Sequence, residues 1–204
     1  MAVLPILELP DPSLRKRAKK VKNIDDSVLR LAYDMIDTMR DAVGVGLAAT
    51  QVGVHQRVIV VQLPGEDEAS IFINPAISHR EGEREVEEGC LSIPGYKGLI
   101  TRSVSVRFRA LDHTAMTVKV KADGLLAQAL EHEVDHLNGI LYIDHLESHQ
   151  KLIPVSAEPE DGGSATEGEE TGADGTSRRA ETLGDLVIPA SAGSEEAPAS
   201  LRVR

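Results

Sequence analysis

The run Glu131-His132-Glu133-Val134-Asp135-His136 and the chain's only cysteine, Cys90, hold the residue types from which a metal-assisted hydrolase is built. His132 and His136 are four apart, so on a helix their imidazoles lie one turn apart on one face. Glu133 falls between them, placed to reach a water on the metal rather than the metal itself. This is the HExxH arrangement, in which two histidines hold a divalent metal and the glutamate moves protons. A catalytic site of this kind needs a third protein ligand and one open position. Cys90, in Glu88-Gly89-Cys90-Leu91-Ser92, can supply a thiolate, and no second cysteine competes with it.

The element that must carry the histidines is a helix over about 125–137, preceded by Asp123 and Gly124 and closed at Asn138-Gly139. Leu126, Ala129, Leu130 and Val134 are apolar, while His132, Glu133 and His136 are not, the pattern of a mostly buried helix with one polar face. Buried imidazoles and a buried carboxylate need partners, and a divalent cation satisfies all three at once. Asp135 is placed to orient an imidazole or to pair with Arg102; a solvated carboxylate is the plain alternative.

Upstream, Asp25 and Asp26 start another helix, in which Val28, Leu31, Met35, Ile36 and Met39 form one stripe ending before Gly44. Leu47 to Val52 leads into a strand over 57–63. Ile71-Phe72-Ile73 reads as a short strand closed by Asn74-Pro75. Glu81 to Glu88 reads as an exposed strand or loop before the cysteine. Val104 to Phe108 alternates with period two, and Thr117 to Val120 can pair with it across the turn at Asp112-His113. Ile140 to Ile143 reads as a last strand. Strands that do not alternate regularly with helices predict an α+β fold, with mainly antiparallel sheets packed around the HExxH helix.

The 204 residues carry a formal charge of -11, which argues against a nucleic-acid or membrane-surface binder. Residues 154–204 hold eleven Asp or Glu against four Arg, and they are rich in Gly, Ser, Ala, Pro and Thr. Such a segment buries too little surface to offset its ordering entropy. The expectation is a catalytic domain over 1–154 and a disordered acidic tail over 155–204. Leu183 to Ile188 is either a docking segment or mere tail. One cysteine allows no intramolecular disulfide, no secretory signal opens the chain, and no apolar run spans a bilayer, so the expected location is the cytoplasm.

Three motifs occur together. Gly44-Val45-Gly46-Leu47-Ala48-Ala49-Thr50-Gln51 resembles the first signature of peptide deformylases, Glu88-Gly89-Cys90-Leu91-Ser92 the second, and His132-Glu133-Val134-Asp135-His136 the third. They stand in the family's order, and the resemblance spans roughly residues 4–153. It implies removal of the N-formyl group from the initiator methionine of nascent chains, by one divalent metal held by Cys90, His132 and His136. Fe(II) is the native metal of many members, with zinc, nickel or cobalt also accommodated; the donor types alone do not choose. Hydroxide on the metal would attack the formyl carbon while Glu133 carries the proton to the leaving amine. The resemblance also implies Gln51, through its side-chain amide, and the backbone N–H of Leu91 as donors to the oxyanion.

Gly44 and Gly46 would let the backbone approach an extended peptide that pairs with a strand edge. By the resemblance, methionine enters an apolar pocket near Val45, Leu125 and His132, with Gly89 also lining the peptide site. Glu131 stands where many relatives have glutamine and Lys97 where many have arginine, which bears on substrate preference rather than on the chemistry. Some members reach the ribosome through a C-terminal extension; proximity to the ribosome is expected here too, without direct grip on nucleic acid by an acidic tail. The sequence is compatible with a monomer or a dimer.

Three other readings compete. A zinc metallopeptidase would take its third ligand downstream of HExxH, whereas Cys90 lies upstream. A catalytically silent peptide-binding relative would have lost ligands or base, and all are present. A structural zinc site would want a fourth protein ligand and no glutamate base. His55, His79, His113, His145 and His149 read as surface or loop residues, with no partners that would make a second metal site of His145 and His149.

Overall fold

The computed structural model describes residues 2–148 and 151–155. Two α-helices and eight strands follow a short 3-10 turn at Pro12–Arg15. Helix α1 (Asp26–Asp41) starts where the carboxylate of Asp25 accepts from the N–H groups of Ser27 and Val28, at 3.0 and 3.2 Å. Val28, Ala32, Met35, Ile36 and Met39 are buried at helical spacing and face one core. Met35 and Met39 pack there with Leu47, Val58, Val60 and Ile73.

Strands β1 (Gly46–Ala48), β2 (Val58–Val61), β3 (Ser70–Glu81), β6 (Ser105–Leu111) and β7 (Thr117–Asp123) form an antiparallel sheet in the order β1-β2-β3-β6-β7. Strands β4 (Arg84–Cys90), β5 (Ile93–Arg102) and β8 (Leu152–Pro154) form a second antiparallel sheet with β5 in the middle. Helix α2 (Gly124–Asn138) packs across strands of the first sheet and turns its polar residues toward β4 and β5. The α+β architecture around an HExxH helix is therefore as expected.

Helix α2 ends at Gly139, whose φ of 78° is left-handed. A Cβ there would run into the backbone carbonyl of Arg15, so both conformation and space require glycine.

Three local expectations need correction. Asn74-Pro75 does not close β3, which runs on to Glu81. Pairing with β6 shifts between Ile73 and Ala76, and Asn74 takes a φ of 54°. A bulge absorbs the proline that lacks an N–H, and the Asn74 side chain ties it to both backbone groups of Val21. The span 140–143 is not a strand. Leu141 and Tyr142 are buried, but Asp144 accepts from the Leu141 N–H at 2.9 Å and winds Tyr142–His145 into a 3-10 turn. Last, β5 has no counterpart in the sequence reading, because Pro94, Gly95 and Gly98 punctuate it like a loop. Gly98 is there for space, since a Cβ would lie 2.8 Å from the Tyr142 ring. The expected acidic tail lies outside the described residues, Val155 excepted.

Candidate metal centre and peptide cleft

Cys90 is the last residue of β4, and a register shift between Gly89 and Cys90 turns the strand toward α2. One helical turn on α2 presents His132 and His136. The His136 Nε2 lies 3.2 Å from the Cys90 Sγ and 3.1 Å from the His132 Nε2. All three ligand atoms lie within 4.8 Å of one another. A tetrahedral cation with bonds of about 2.0–2.3 Å separates its ligands by roughly 3.3–3.8 Å, so the triangle has the size such an ion spans.

The surroundings fit a cation as well. The His132 Nδ1 lies 2.6 Å from the Glu88 carboxylate, which leaves Nε2 free to ligate. Burial disfavours charge on both rings: it keeps His136 neutral, while the contacts with Cys90 and Glu88 overcome it at His132 and draw a proton there. A divalent ion would take the place of that proton. Glu133 beside them is buried, and its Oε2 has no hydrogen-bond partner among the described residues. Burial pushes its carboxyl up to about 7, against the pull of His132.

Behind the ligands runs a buried chain of charges. Arg102 on β5 donates to both oxygens of Glu88, at 3.0 and 2.7 Å, and to Asp135 at 2.6 Å. Asp135 also contacts the His145 Nε2 at 2.8 Å. Burial alone would raise Glu88, but the hydrogen bonds and charges of His132 and Arg102 hold it at about 2. Asp135 thus takes the pairing role with Arg102 rather than sitting in solvent. His145 is an exposed residue of the Tyr142–His145 turn, as expected, and it also caps this chain of charges. His149 lies outside the described residues.

A cleft of about 620 Å³ opens in front of the ligands. It lies between the edge strands of the two sheets, β1 and β4, with α2 as its floor. Gly44, Val45, Gly46, Gln51, Gly89 and Leu91 line it, as do Leu125, Glu133, Cys90 and His132. Only His136 among the expected site residues is set behind the wall, fully buried. Val45 and Leu125 are partly exposed on its rim. The Gln51 side chain is pinned, accepting from the Ala48 N–H at 2.8 Å and donating to the Ser92 hydroxyl at 3.2 Å. Lys97 lines the cleft and pairs with Glu87 at 3.6 Å. Glu131 points away, accepting from Arg80 and from the Ser103 backbone and hydroxyl.

The two glycines have a reason that spacing does not reveal. A Cβ on Gly46 would lie 2.9 Å from the Glu133 carboxyl carbon, and one on Gly44 the same distance from a Leu91 methyl. Their missing side chains make room for the protein's own Glu133 and Leu91. Glu88 is not singled out by the sequence as part of the site, and Arg102 enters there only as a partner of Asp135, not of Glu88. The available signal was strand alternation, which puts Glu88 on the same face of β4 as Cys90 two residues later. Val155 was placed in the tail, yet its N–H donates to the Gly95 carbonyl at 2.9 Å and it lines the cleft.

Comparison with known proteins gives this geometry a lineage. The family model for polypeptide deformylase matches residues 3–152. A peptide deformylase of Dehalococcoides mccartyi is 52% identical over 160 residues, covering 78% of this chain and 96% of that protein. The crystal structure of a peptide deformylase from Legionella pneumophila superposes with a TM-score of 0.71 at 46% identity, covering 74% of this chain and 89% of that one. A Synechococcus elongatus peptide deformylase solved in complex with actinonin gives a TM-score of 0.71 at 39% identity, covering 74% and 82%. The chain belongs to the polypeptide deformylase family, metal-dependent hydrolases that remove the N-formyl group from nascent proteins.

Proposed function

We propose that deformylation in this chain depends on one divalent cation, Fe(II) in the first instance with Zn(II), Ni(II) or Co(II) able to replace it, held by Cys90, His132 and His136. The observation that carries this reading is the convergence of the Cys90 Sγ and two imidazole Nε2 atoms beside the unpartnered Glu133 oxygen. Bound there, the cation would polarise the formyl group and lower the pKa of water. Glu133 takes a proton from the attacking water and delivers it to the departing amine nitrogen. Its buried, raised carboxyl suits it to both halves of that transfer. The Gln51 amide and the Leu91 N–H stabilise the oxyanion of the tetrahedral adduct, and the pinning of Gln51 by Ala48 and Ser92 keeps its donor aimed.

The nascent peptide lies in the cleft as an added strand between the edges of β1 and β4. Gly44, Val45, Gly46 and Gly89 line its path, and the methionine side chain enters near Val45 and Leu125. This reading places the enzyme beside the ribosome in the cytoplasm. No helix among the described residues is long and apolar enough to cross a membrane.

Formate release from N-formyl-Met-Ala-Ser tests the reading, with the full chain and a chain cut after Ser156 run in parallel. Both are expected to lose turnover on chelation and regain it with Fe(II) or Ni(II). Turnover that survives complete metal removal would overturn it. The shortened chain is expected to match the full one, because Val155 and β8 are kept. A large loss on cutting would make the acidic tail part of the catalytic domain.

Gly46→Ala carries a further expectation. The added methyl must push Glu133 from its place, and displacement of a catalytic group by about 1 Å can cost on the order of 100-fold in rate. The variant should bind metal normally and lose roughly that factor in kcat. Unchanged kcat, measured by the same formate assay, would show that Glu133 has slack that the packing does not suggest.

A further inference from the structure

Away from the cleft, the first sheet presents a face of positive charge that no carboxylate among the described residues pairs with. Strands β6 and β7 bury Val106, Phe108, Ala110, Val118 and Ala122, and turn Arg107, Arg109, Lys119 and Lys121 to solvent. The register sets Arg107 opposite Lys121 and Arg109 opposite Lys119. Like charges directly opposed across a ladder are destabilising, and folding gains nothing from two consecutive pairs of them. None of the four makes an ion pair among the described residues; the nearest carboxylates in the ladder, Glu81 and Asp123, oppose Ser105 at its far end.

The same charge continues around the molecule. Two adjoining depressions of about 500 Å³ each share Arg109 and Ala76. One is walled by Arg107, Lys119 and Lys121, the other by Arg17, Lys20 and Arg57, and no Asp or Glu among the described residues lines either. Arg57 is half-buried, and its hydrogen bonds go to two neutral oxygens, of Asn138 and Pro75, both at 3.0 Å. Burial and the neighbouring Arg17 together disfavour its charge, a cost that a bound anion would relieve.

We infer that this face docks the phosphate backbone of ribosomal RNA, holding the enzyme near the nascent chains on which it acts. The charges are spread over two depressions, which suits a polyanion with repeating phosphates rather than one small anion. Neither depression carries an aromatic stacking platform at its surface, so contact is to backbone and not to sequence. Among the described residues, none of the large exposed apolar side chains lines the face, as insertion into a lipid surface would need. It shares no lining residue with the peptide cleft, so docking leaves the active site open. The net charge of -11 concealed this, because most of the excess acid lies in residues 154–204. The inference rests on the deformylase assignment for the source of the RNA, and departs from the expectation of no contact with nucleic acid.

The test is cosedimentation of the full chain with purified large ribosomal subunits, at about 50 and 200 mM salt, with duplex RNA as competitor. With four to seven phosphate contacts, binding should weaken roughly 10²- to 10⁴-fold between those salt concentrations. Lys119→Glu/Lys121→Glu replaces like pairs by opposite pairs across β6 and β7, so it should fold at least as well as the parent. It is expected to bind subunits at least tenfold more weakly, to show a shallower salt slope, and to release formate at the parent rate. Equal binding by variant and parent, no binding at the lower salt, or failure of duplex RNA to compete would each overturn the proposal. So would charge-dependent binding seen only with vesicles containing phosphatidylserine. Loss of formate release by the parent would instead strike the catalytic reading, which makes the two failures distinguishable.

Discussion

Glu133→Gln is expected to lower kcat for N-formyl-Met-Ala-Ser by roughly 10²- to 10⁴-fold, the range lost when a positioned general acid–base is removed. The substitution keeps shape and burial: Glu133 is 3% exposed and packs over Gly46, where an isosteric amide fits. What it removes is the ability to accept a proton. Because Cys90, His132 and His136 are untouched, metal content should stay at one ion per chain. KM should change little, since Glu133 has no part in holding the peptide's main chain. Stability should not fall either. The carboxyl sits so deep that burial raises it to about 7, and a neutral amide avoids the cost of that buried charge. Formate release with metal analysis on the same sample checks all three. A variant that keeps more than a tenth of the parent kcat would remove Glu133 from proton transfer.

The convergence of Cys90, His132 and His136 was legible because metal chemistry imposes sequence spacing. His132 and His136 must be one helical turn apart, and a single cysteine leaves no choice of thiolate. Helix α1 was equally legible, its apolar stripe and the Asp25 cap both being local signals. What stayed hidden depends on contacts across the fold. Glu88 and Arg102 are 14 residues apart and meet only when β4 pairs with β5. Strand β5 itself was hidden by Gly98, a turn signal by composition but in fact a space left for the Tyr142 ring. The bulge at Asn74-Pro75 looked like an end for the same reason: local residue type marks an irregularity, and only strand pairing decides whether the strand resumes. The basic face is the extreme case. Its members run from Arg17 to Lys121, and the acid elsewhere cancels them in any sum over the sequence.

Arg102→Ala is expected to be the most destabilising single change at the site, by about 3–5 kcal/mol, the usual cost of stripping one partner from a buried charge pair. Arg102 is 5% exposed and is the only cation among the described residues that Glu88 and Asp135 share. Its removal strands two buried carboxylates, and the half-exposed His145 can answer only for Asp135. For a chain of this size that loss lowers Tm by roughly 6–20 °C. The damage should also reach the metal, because Glu88 fixes the His132 ring through Nδ1. Loss of such outer support typically weakens metal binding about 10- to 100-fold, which a competition with chelator reads directly. Arg102→Met combined with Glu88→Gln separates the two effects. Removing both charges leaves Asp135 with His145 and should destabilise less than the sum of the single changes. If Arg102→Ala shifted stability by less than about 1 kcal/mol, the chain of charges would be solvated in solution rather than buried. The orientation of His132 would then have to come from packing on α2 alone.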